Sequence, residues 1–122
     1  MWDKTRSKFL VIQEANSEWE LPGGGLDWGA SPHDDLQREI EEEMALPVEW
    51  VAPNPSYFIT FKNHREHWVA NVVYEARVAH TDFTPSDECV AIRFVTPAEA
   101  RALPARFGNI QQLADMIEGK GK

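Results

Sequence analysis

The stretch WELPGGGLDWGASPHDDLQREIEEEMAL, residues 19–46, contains a glycine run, a helix start and an acidic run in close succession. Ser31-Pro32 predicts the start of a helix, because the residue before a proline avoids the helical region, serine is a good cap and proline suits the first turn. Proline cannot continue a helix at position 47. The helix is therefore predicted to run from Pro32 to about Leu46.

One side of the predicted helix is apolar and the border of that side is acidic. At about 100° per residue, Leu36 and Met44 fall on one stripe that should pack against a sheet. Three carboxylates lie beside the stripe within an arc of about 100°: Glu39, Glu42 and Glu43. A solvated acidic face is the ordinary explanation of such a run. However, anions in the last helical turn oppose the helix dipole, and a bound divalent cation would offset that cost.

The glycine run before the helix is a candidate for binding substrate. Gly23, Gly24 and Gly25 form a segment without side chains, which can bring backbone amides or carbonyls close to a phosphate or a metal. Alone, three glycines more often mark a tight turn. Their position before a helix that carries carboxylates makes them candidate site residues. Trp28, between the glycines and the helix, is a candidate for covering a substrate or a neighbouring subunit.

The remainder of the chain predicts a layered domain of strands and helices. Strands are expected at residues 8–13, 48–51, 57–61, 68–78 and 91–95, and shorter helices at 97–103, after a Thr96 cap, and at 110–117. Strands mixed with three helices predict an α/β or α+β fold with a mixed sheet covered by helices. With 122 residues, of which 43% are hydrophobic, we expect one domain over residues 1–122.

Composition excludes several classes of partner. A net charge of −8 argues against nucleic acid, which is bound by cationic surfaces. The N-terminal residues lack the apolar run of a signal peptide, and no segment approaches the roughly 18 apolar residues of a membrane span. We therefore expect a soluble cytoplasmic protein without a membrane partner. The single cysteine, Cys89, is expected to be a buried free thiol in a strand-like stretch.

The segment from Gly24 to Leu46 resembles the Nudix box, G-x5-E-x7-R-E-U-x-E-E-x-G-U, in which U is a bulky aliphatic residue. Gly24 stands at the first position, residues 38–43 (REIEEE) fit R-E-U-x-E-E, and Leu46 fits the last aliphatic position. The preceding residues 19–24 (WELPGG) are similar to the W-x-L-P-G-G approach of the same family. Two positions depart from the pattern. Ala30 replaces the first glutamate, and Ala45 replaces the glycine, which implies a differently shaped helix end because alanine resists the left-handed exit.

The resemblance implies a Nudix-type α/β/α sandwich and a metal-dependent hydrolase of diphosphate linkages. Carried over to this chain, Glu39, Glu42 and Glu43 would hold Mg²⁺ or Mn²⁺, together with a backbone oxygen near Gly24. Arg38 would orient the glutamates, and water activated by the metal would attack phosphorus. The general base would be Glu39 or a glutamate of a later loop, for which Glu88 is the best candidate. The substrate class would be nucleoside diphosphate derivatives.

Two further expectations follow from this resemblance. Family members usually have a strand before the one at residues 8–13, so the sheet edge here is expected to be shortened, absent, or completed by a partner chain in a homodimer. The alternative function, motivated by Ala30, is a non-catalytic sensor that binds a nucleotide or metabolite. Several aromatic residues could stack on a base, although most are expected in the core: Trp50, Tyr57, Phe58, Phe61, Trp68 and Phe83.

Overall fold

The computed structural model describes residues 1–2, 7–23 and 31–119. Its elements, in chain order, are β1 (Phe9–Gln13), β2 (Trp19–Glu20), α1 (Pro32–Met44), β3 (Val48–Val51), β4 (Tyr57–Lys62), β5 (Trp68–Val73), β6 (Ala76–Val78), β7 (Ala91–Val95), α2 (Pro97–Arg101) and α3 (Asn109–Ile117). No helix within these ranges is both long and apolar enough to cross a membrane.

Strand β1 lies in the middle of a three-stranded antiparallel sheet. It pairs with β2 on one edge and with β7 on the other, where Phe9 is opposite Val95. Two more antiparallel pairs, β3–β6 and β4–β5, complete the named strands. A parallel bridge between Trp19 and Ala105 adds the parallel component that is expected of a mixed sheet.

The side chains of β1 are buried on both faces of the sheet, which places a helix layer on each side. Phe9 and Val11 belong to the core that α3 covers through Ile110 and Leu113. The alternate residues Leu10 and Ile12 belong to a second core, which α1 covers through Ile40 and Met44. Because neighbouring residues of a strand point to opposite faces, one strand serves both cores. This arrangement confirms the predicted α/β/α sandwich.

Helix α1 begins as the sequence predicts and ends slightly earlier. The Ser31 hydroxyl accepts a hydrogen bond from the Asp34 N–H at 3.2 Å. The last helical residue is Met44, and Ala45 follows in the left-handed conformation with φ 55°. The expectation of a differently shaped helix end was therefore wrong. The chain makes the left-handed exit with alanine, and the Ala45 N–H donates to the Glu41 carbonyl.

The predicted strand at residues 68–78 is two strands with different partners. The Ser56 N–H donates to the carbonyl of Val73, at the end of β5, whereas the Ala52 N–H donates to the carbonyl of Glu75, just before β6. The pairing with β4 therefore ends at Val73, and the pairing with β3 begins at Glu75, two residues later. Apolar residues continue to alternate through this change of pairing partner. Alternation shows which residues face a core, but it does not show which strand is the partner.

Two smaller findings concern the N-terminus and the aromatic residues. The Leu10 N–H donates to the Met1 carbonyl at 2.9 Å, and Trp2 bridges to Phe9, so residues 1–2 lie along β1. The prediction of a core position was wrong for three aromatic side chains, which are exposed: Trp50, Phe58 and Trp68. Phe58 and Trp68 lie on the face of the β4–β5 pair opposite to the buried Ile59 and Phe61, because side chains alternate along a strand.

Candidate active site

The Glu43 carboxylate connects the end of the acidic helix to the glycine run. Glu43 lies in the last turn of α1 and is only 4% exposed. Its Oε1 accepts a hydrogen bond from the Gly23 N–H at 3.0 Å. Burial raises the pKa of Glu43 to about 8, and the Gly23 hydrogen bond opposes that rise only in part. The fold thus holds a carboxyl group in a place where its charge is costly unless a cation is near.

Other carboxylates add to the negative field around Glu43. The charges of Glu20, Glu39 and Glu88 each raise the pKa of Glu43 further. Glu20 is itself half-buried, and burial followed by repulsion from Glu14 raises the pKa of Glu20 to about 7. One acidic region therefore contains four glutamates from different elements: Glu20, Glu39, Glu43 and Glu88.

Arg38 forms three ion pairs with described residues on the acidic side of α1. Its guanidinium lies 2.6 Å from Asp35 Oδ1, 3.1 Å from Glu39 Oε1 and 3.0 Å from Glu42 Oε2. Spacings of three and four residues place the Asp35, Arg38 and Glu42 side chains on one face of the helix. Asp35 is buried at 5% exposure, so the ion pair also supplies this carboxylate with a partner. These ion pairs restrain the directions of the Glu39 and Glu42 side chains.

The turn that carries Glu88 is tied to the end of α1. The Ser86 hydroxyl donates to the Glu43 carbonyl at 3.0 Å, and Ser86 and Cys89 pair across the turn. Glu88 is exposed between them. Cys89 is a buried free thiol, as predicted, although it lies in this turn and not in a strand. Burial raises the pKa of Cys89 to about 11, which keeps the thiol protonated and unreactive.

The structure brings together part of the predicted site and adds two residues to it. Gly24, Gly25, Trp28 and Ala30 lie outside the described residues. The remaining candidates fall into two adjacent groups, Arg38 with Glu39 and Glu42, and Glu43 with Gly23, while Glu88 is near enough to affect Glu43 electrostatically. The sequence reasoning missed Asp35 and Glu20. The spacing of Asp35 from Arg38 was visible on the helix, whereas nothing local marked Glu20.

The donor chemistry of this region suits a hard divalent cation. Carboxylate oxygens dominate it, and burial raises the pKa of Glu43, so a nearby cation would stabilise its ionised form. Within residues 1–2, 7–23 and 31–119, however, no three His, Cys, Asp or Glu side chains converge closely enough to hold a metal ion. The charge and the ligand type thus fit Mg²⁺ or Mn²⁺. In this structure Arg38 is ion-paired with two of the candidate ligands, Glu39 and Glu42.

Comparisons with known proteins agree with this fold. The model of the NUDIX domain matches residues 1–116. A MutT-like protein of Streptomyces ambofaciens is 31% identical over 115 residues, which cover 93% of this chain and 71% of that protein. An ADP-ribose pyrophosphatase from Streptococcus suis 89-1591 is 26% identical, with a TM-score of 0.64 over 93% of this chain and 84% of its own. A NUDIX-family hydrolase from Clostridium perfringens has a TM-score of 0.67 at 17% identity, covering 91% and 90% of the two chains.

The sandwich fold is thus that of an established class of protein. The chain belongs to the NUDIX domain family. The prediction of a Nudix-type pyrophosphohydrolase is confirmed at the level of this class.

Proposed function

We propose that this protein hydrolyses the diphosphate linkage of a nucleoside diphosphate derivative in the presence of Mg²⁺ or Mn²⁺. The observation that carries the proposal is the buried Glu43 carboxylate, which joins the acidic helix to the backbone of the glycine run. A buried carboxylate with a raised pKa in a field of other acids is a poor structural element and a good cation ligand.

Each side chain of the site has a separate task in this proposal. Glu43, Glu39 and Glu42 would hold the cation, with a backbone oxygen near Gly24 as a further ligand. The Gly23 N–H keeps the Glu43 carboxylate in place from the loop side, and Arg38 orients the other two glutamates from the helix side. A divalent cation, when bound, neutralises the diphosphate and lowers the pKa of water. Hydrolysis forms a bond from a water oxygen to one phosphorus and breaks the bridging P–O bond.

The proton that water loses needs an acceptor, and two glutamates are suitable. Glu39 is part of the helix and is fixed by Arg38 at 3.1 Å. Glu88 is exposed on the turn that Ser86 fastens to α1, so it can approach a bound substrate from the opposite side. The two are distinguishable, because Glu88→Gln leaves the proposed metal ligands intact. A large fall in kcat at unchanged metal dependence would assign the base to Glu88, and near-normal kcat would assign it to Glu39.

The experiment that tests the proposal is a substrate screen with matched variants. The panel contains nucleoside di- and triphosphates, nucleotide sugars, dinucleoside polyphosphates and ADP-ribose, the last because one similar structure is an ADP-ribose pyrophosphatase. We expect turnover of at least one compound with Mg²⁺ or Mn²⁺, none with EDTA, and a loss of at least about 100-fold in Glu43→Gln. Glu41→Gln is the control, because Glu41 is exposed on the opposite side of the same helix turn.

The outcomes of this screen separate hydrolysis from a sensor function. Tight binding of one compound without turnover would favour the non-catalytic sensor that Ala30 suggests. Equal activity of Glu43→Gln and the wild type would contradict the site itself. We also propose, from the sequence, that the protein is cytoplasmic and forms a homodimer, for which size-exclusion chromatography with light scattering is the test of assembly.

A further inference from the structure

A cleft lies on the flank of α1 that faces away from the acidic side. Its volume is about 310 Å³, and its walls come from two elements: His33 and Gln37 of α1, and Val48, Glu49, Trp50 and Val51 of β3. Gln37 and Glu39 are two residues apart in the helix, which separates their side chains by about 160° around the axis. The volume is at the low end of the roughly 300–1,000 Å³ of small-molecule sites. The cleft therefore suits one compact molecule and is separate from the diphosphate site.

Trp50 gives the cleft an aromatic wall that is already held in place. The indole is 37% exposed, and the Arg77 guanidinium lies 4.8 Å from its ring centroid. The pairing of β3 with β6 shifts register between Val48 and Trp50. Such bulges redirect a side chain and often occur next to binding sites. An exposed tryptophan that is fixed by a cation stack offers a planar surface at little cost in conformational entropy.

His33 contributes its ring to the wall of the same cleft. Its imidazole packs edge-on against the Tyr74 ring, with centroids 5.2 Å apart and planes at 78°. Its Nε2 is buried and has no hydrogen-bond partner among the described residues. The ring of His33 therefore forms a fixed side of the cleft, while its Nε2 is enclosed by the protein and is not reached from the cleft.

The polar groups at the cleft define what such a partner must present. The Glu49 carboxylate is exposed and only accepts hydrogen bonds, while the Gln37 amide both donates and accepts. An amino group next to a ring nitrogen matches this pair of side chains. We propose that the cleft binds a planar heteroaromatic base with an exocyclic amino group, of the kind found in adenine, with its ring against Trp50 and its amino group donating to Glu49. This site lies beyond the hydrolytic function proposed above and does not depend on it.

The test uses nucleosides without phosphate, in EDTA, so that the proposed metal-dependent site cannot contribute. The probes are adenosine and inosine, which share the purine skeleton and the ribose. They differ at C6, an amino donor against a carbonyl acceptor, and at N1, which carries a proton only in inosine. Titration of the labelled wild-type protein is followed by ¹H–¹⁵N NMR. We expect saturable adenosine shifts at the Gln37 side-chain amide, the Trp50 indole N–H and the Glu49 amide. Inosine should bind at least about tenfold more weakly, since its carbonyl faces the carboxylate.

Two variants test whether Glu49 recognises the amino group of adenosine. Glu49→Ala should weaken adenosine binding about tenfold and abolish the preference over inosine, whereas Glu66→Ala, an exposed glutamate in the β4–β5 turn, should change neither. Absence of saturable shifts with adenosine, shifts at Gly23 and Glu43 in place of the cleft, or equal affinity for inosine would each overturn the proposal. The comparison of the two nucleosides on the wild type decides the matter even if a variant fails to fold.

Discussion

Glu43 is buried at the border between α1 and the sheet, where a carboxylate lowers stability unless a cation compensates it. The Glu43 carboxylate accepts a hydrogen bond from the Gly23 N–H, while Glu20, Glu39 and Glu88 surround it with negative charge. A chain selected for stability alone would carry a neutral side chain there. The residue is therefore best explained by the chemistry proposed for it, and its removal should have opposite effects on stability and on activity.

Glu43→Gln is expected to stabilise the metal-free protein. The pKa of Glu43 rises from 4.5 to about 8 on folding, so the unfolded chain loses the proton first as pH rises. The stability that the protonated carboxyl provides is complete below about pH 4.5 and is lost as pH rises through 8. Glutamine keeps a carbonyl for the Gly23 N–H and carries no charge. At pH 7 in EDTA we expect a gain of roughly 1–3 kcal/mol in the free energy of unfolding.

Urea denaturation of both proteins at several pH values measures this effect. The difference should vanish near pH 4 and grow towards pH 8, and Glu41→Gln should show no such trend because Glu41 is exposed. A Glu43→Gln protein that is less stable than the wild type at pH 8 in EDTA would show that the carboxylate is compensated within the protein.

At the scale of single elements, α1 ends in a conformation that its sequence does not favour. Ala45 has φ 55° and ψ 35°, in the left-handed region, where a Cβ costs about 1 kcal/mol. The exit is required because Leu46 must reach the core beneath α1 and Val48 must begin β3. Packing of the residues that follow thus determines the backbone at Ala45, against its local preference.

Ala45→Gly is expected to raise the free energy of unfolding by about 0.5–1 kcal/mol, because relief of the left-handed strain exceeds the extra entropy of the unfolded glycine. Ala102→Gly is the matched control. Ala102 also follows a helix, but its φ is −90°, so glycine there should destabilise by a few tenths to 1 kcal/mol. Chemical denaturation measures the free energy of unfolding of both variants. If both substitutions changed it in the same direction, the proposed strain at Ala45 would be contradicted.

At the scale of the whole molecule, the site lies where three parts of the chain meet. The Glu43 carbonyl accepts from Ser86, the Glu43 carboxylate accepts from Gly23, and α1 itself packs on β1 through Ile40 and Met44. A cation bound at this junction would act on contacts between elements that are distant in sequence. Metal binding should therefore be visible in the stability of the entire fold.

Mg²⁺ is expected to raise the melting temperature of the wild type. Binding to the folded state alone, at ten times the Kd, contributes about 1.4 kcal/mol, or roughly 3–6 °C for a domain of this size. Differential scanning calorimetry with MgCl₂, against NaCl at equal ionic strength, measures the shift, and Glu43→Gln should lose most of it. A wild type that responds equally to both salts would show that the acidic cluster binds no specific cation.

Most of the fold was predictable because its determinants are local. Short runs rich in apolar residues predicted β1, β4 and β7, and the proline and cap residues predicted the starts of α1 and α2. The local sequence could not predict which strands pair with each other. The division at Tyr74 and Glu75 depends on which strands lie beside β5 and β6, and the short β2 exists only because β1 and residues 104–106 flank it.

The sequence by itself determined the family, the acidic side of α1 and the identity of the glutamates, because helical spacing places those side chains on one face whatever surrounds them. Only the tertiary structure decided which of the three glutamates is buried. Glu43 faces the sheet and the Gly23 backbone, Glu42 is exposed, and Glu39 lies between them, held by Arg38. Burial and electrostatic field depend on the elements packed around a residue, and those elements are distant in sequence.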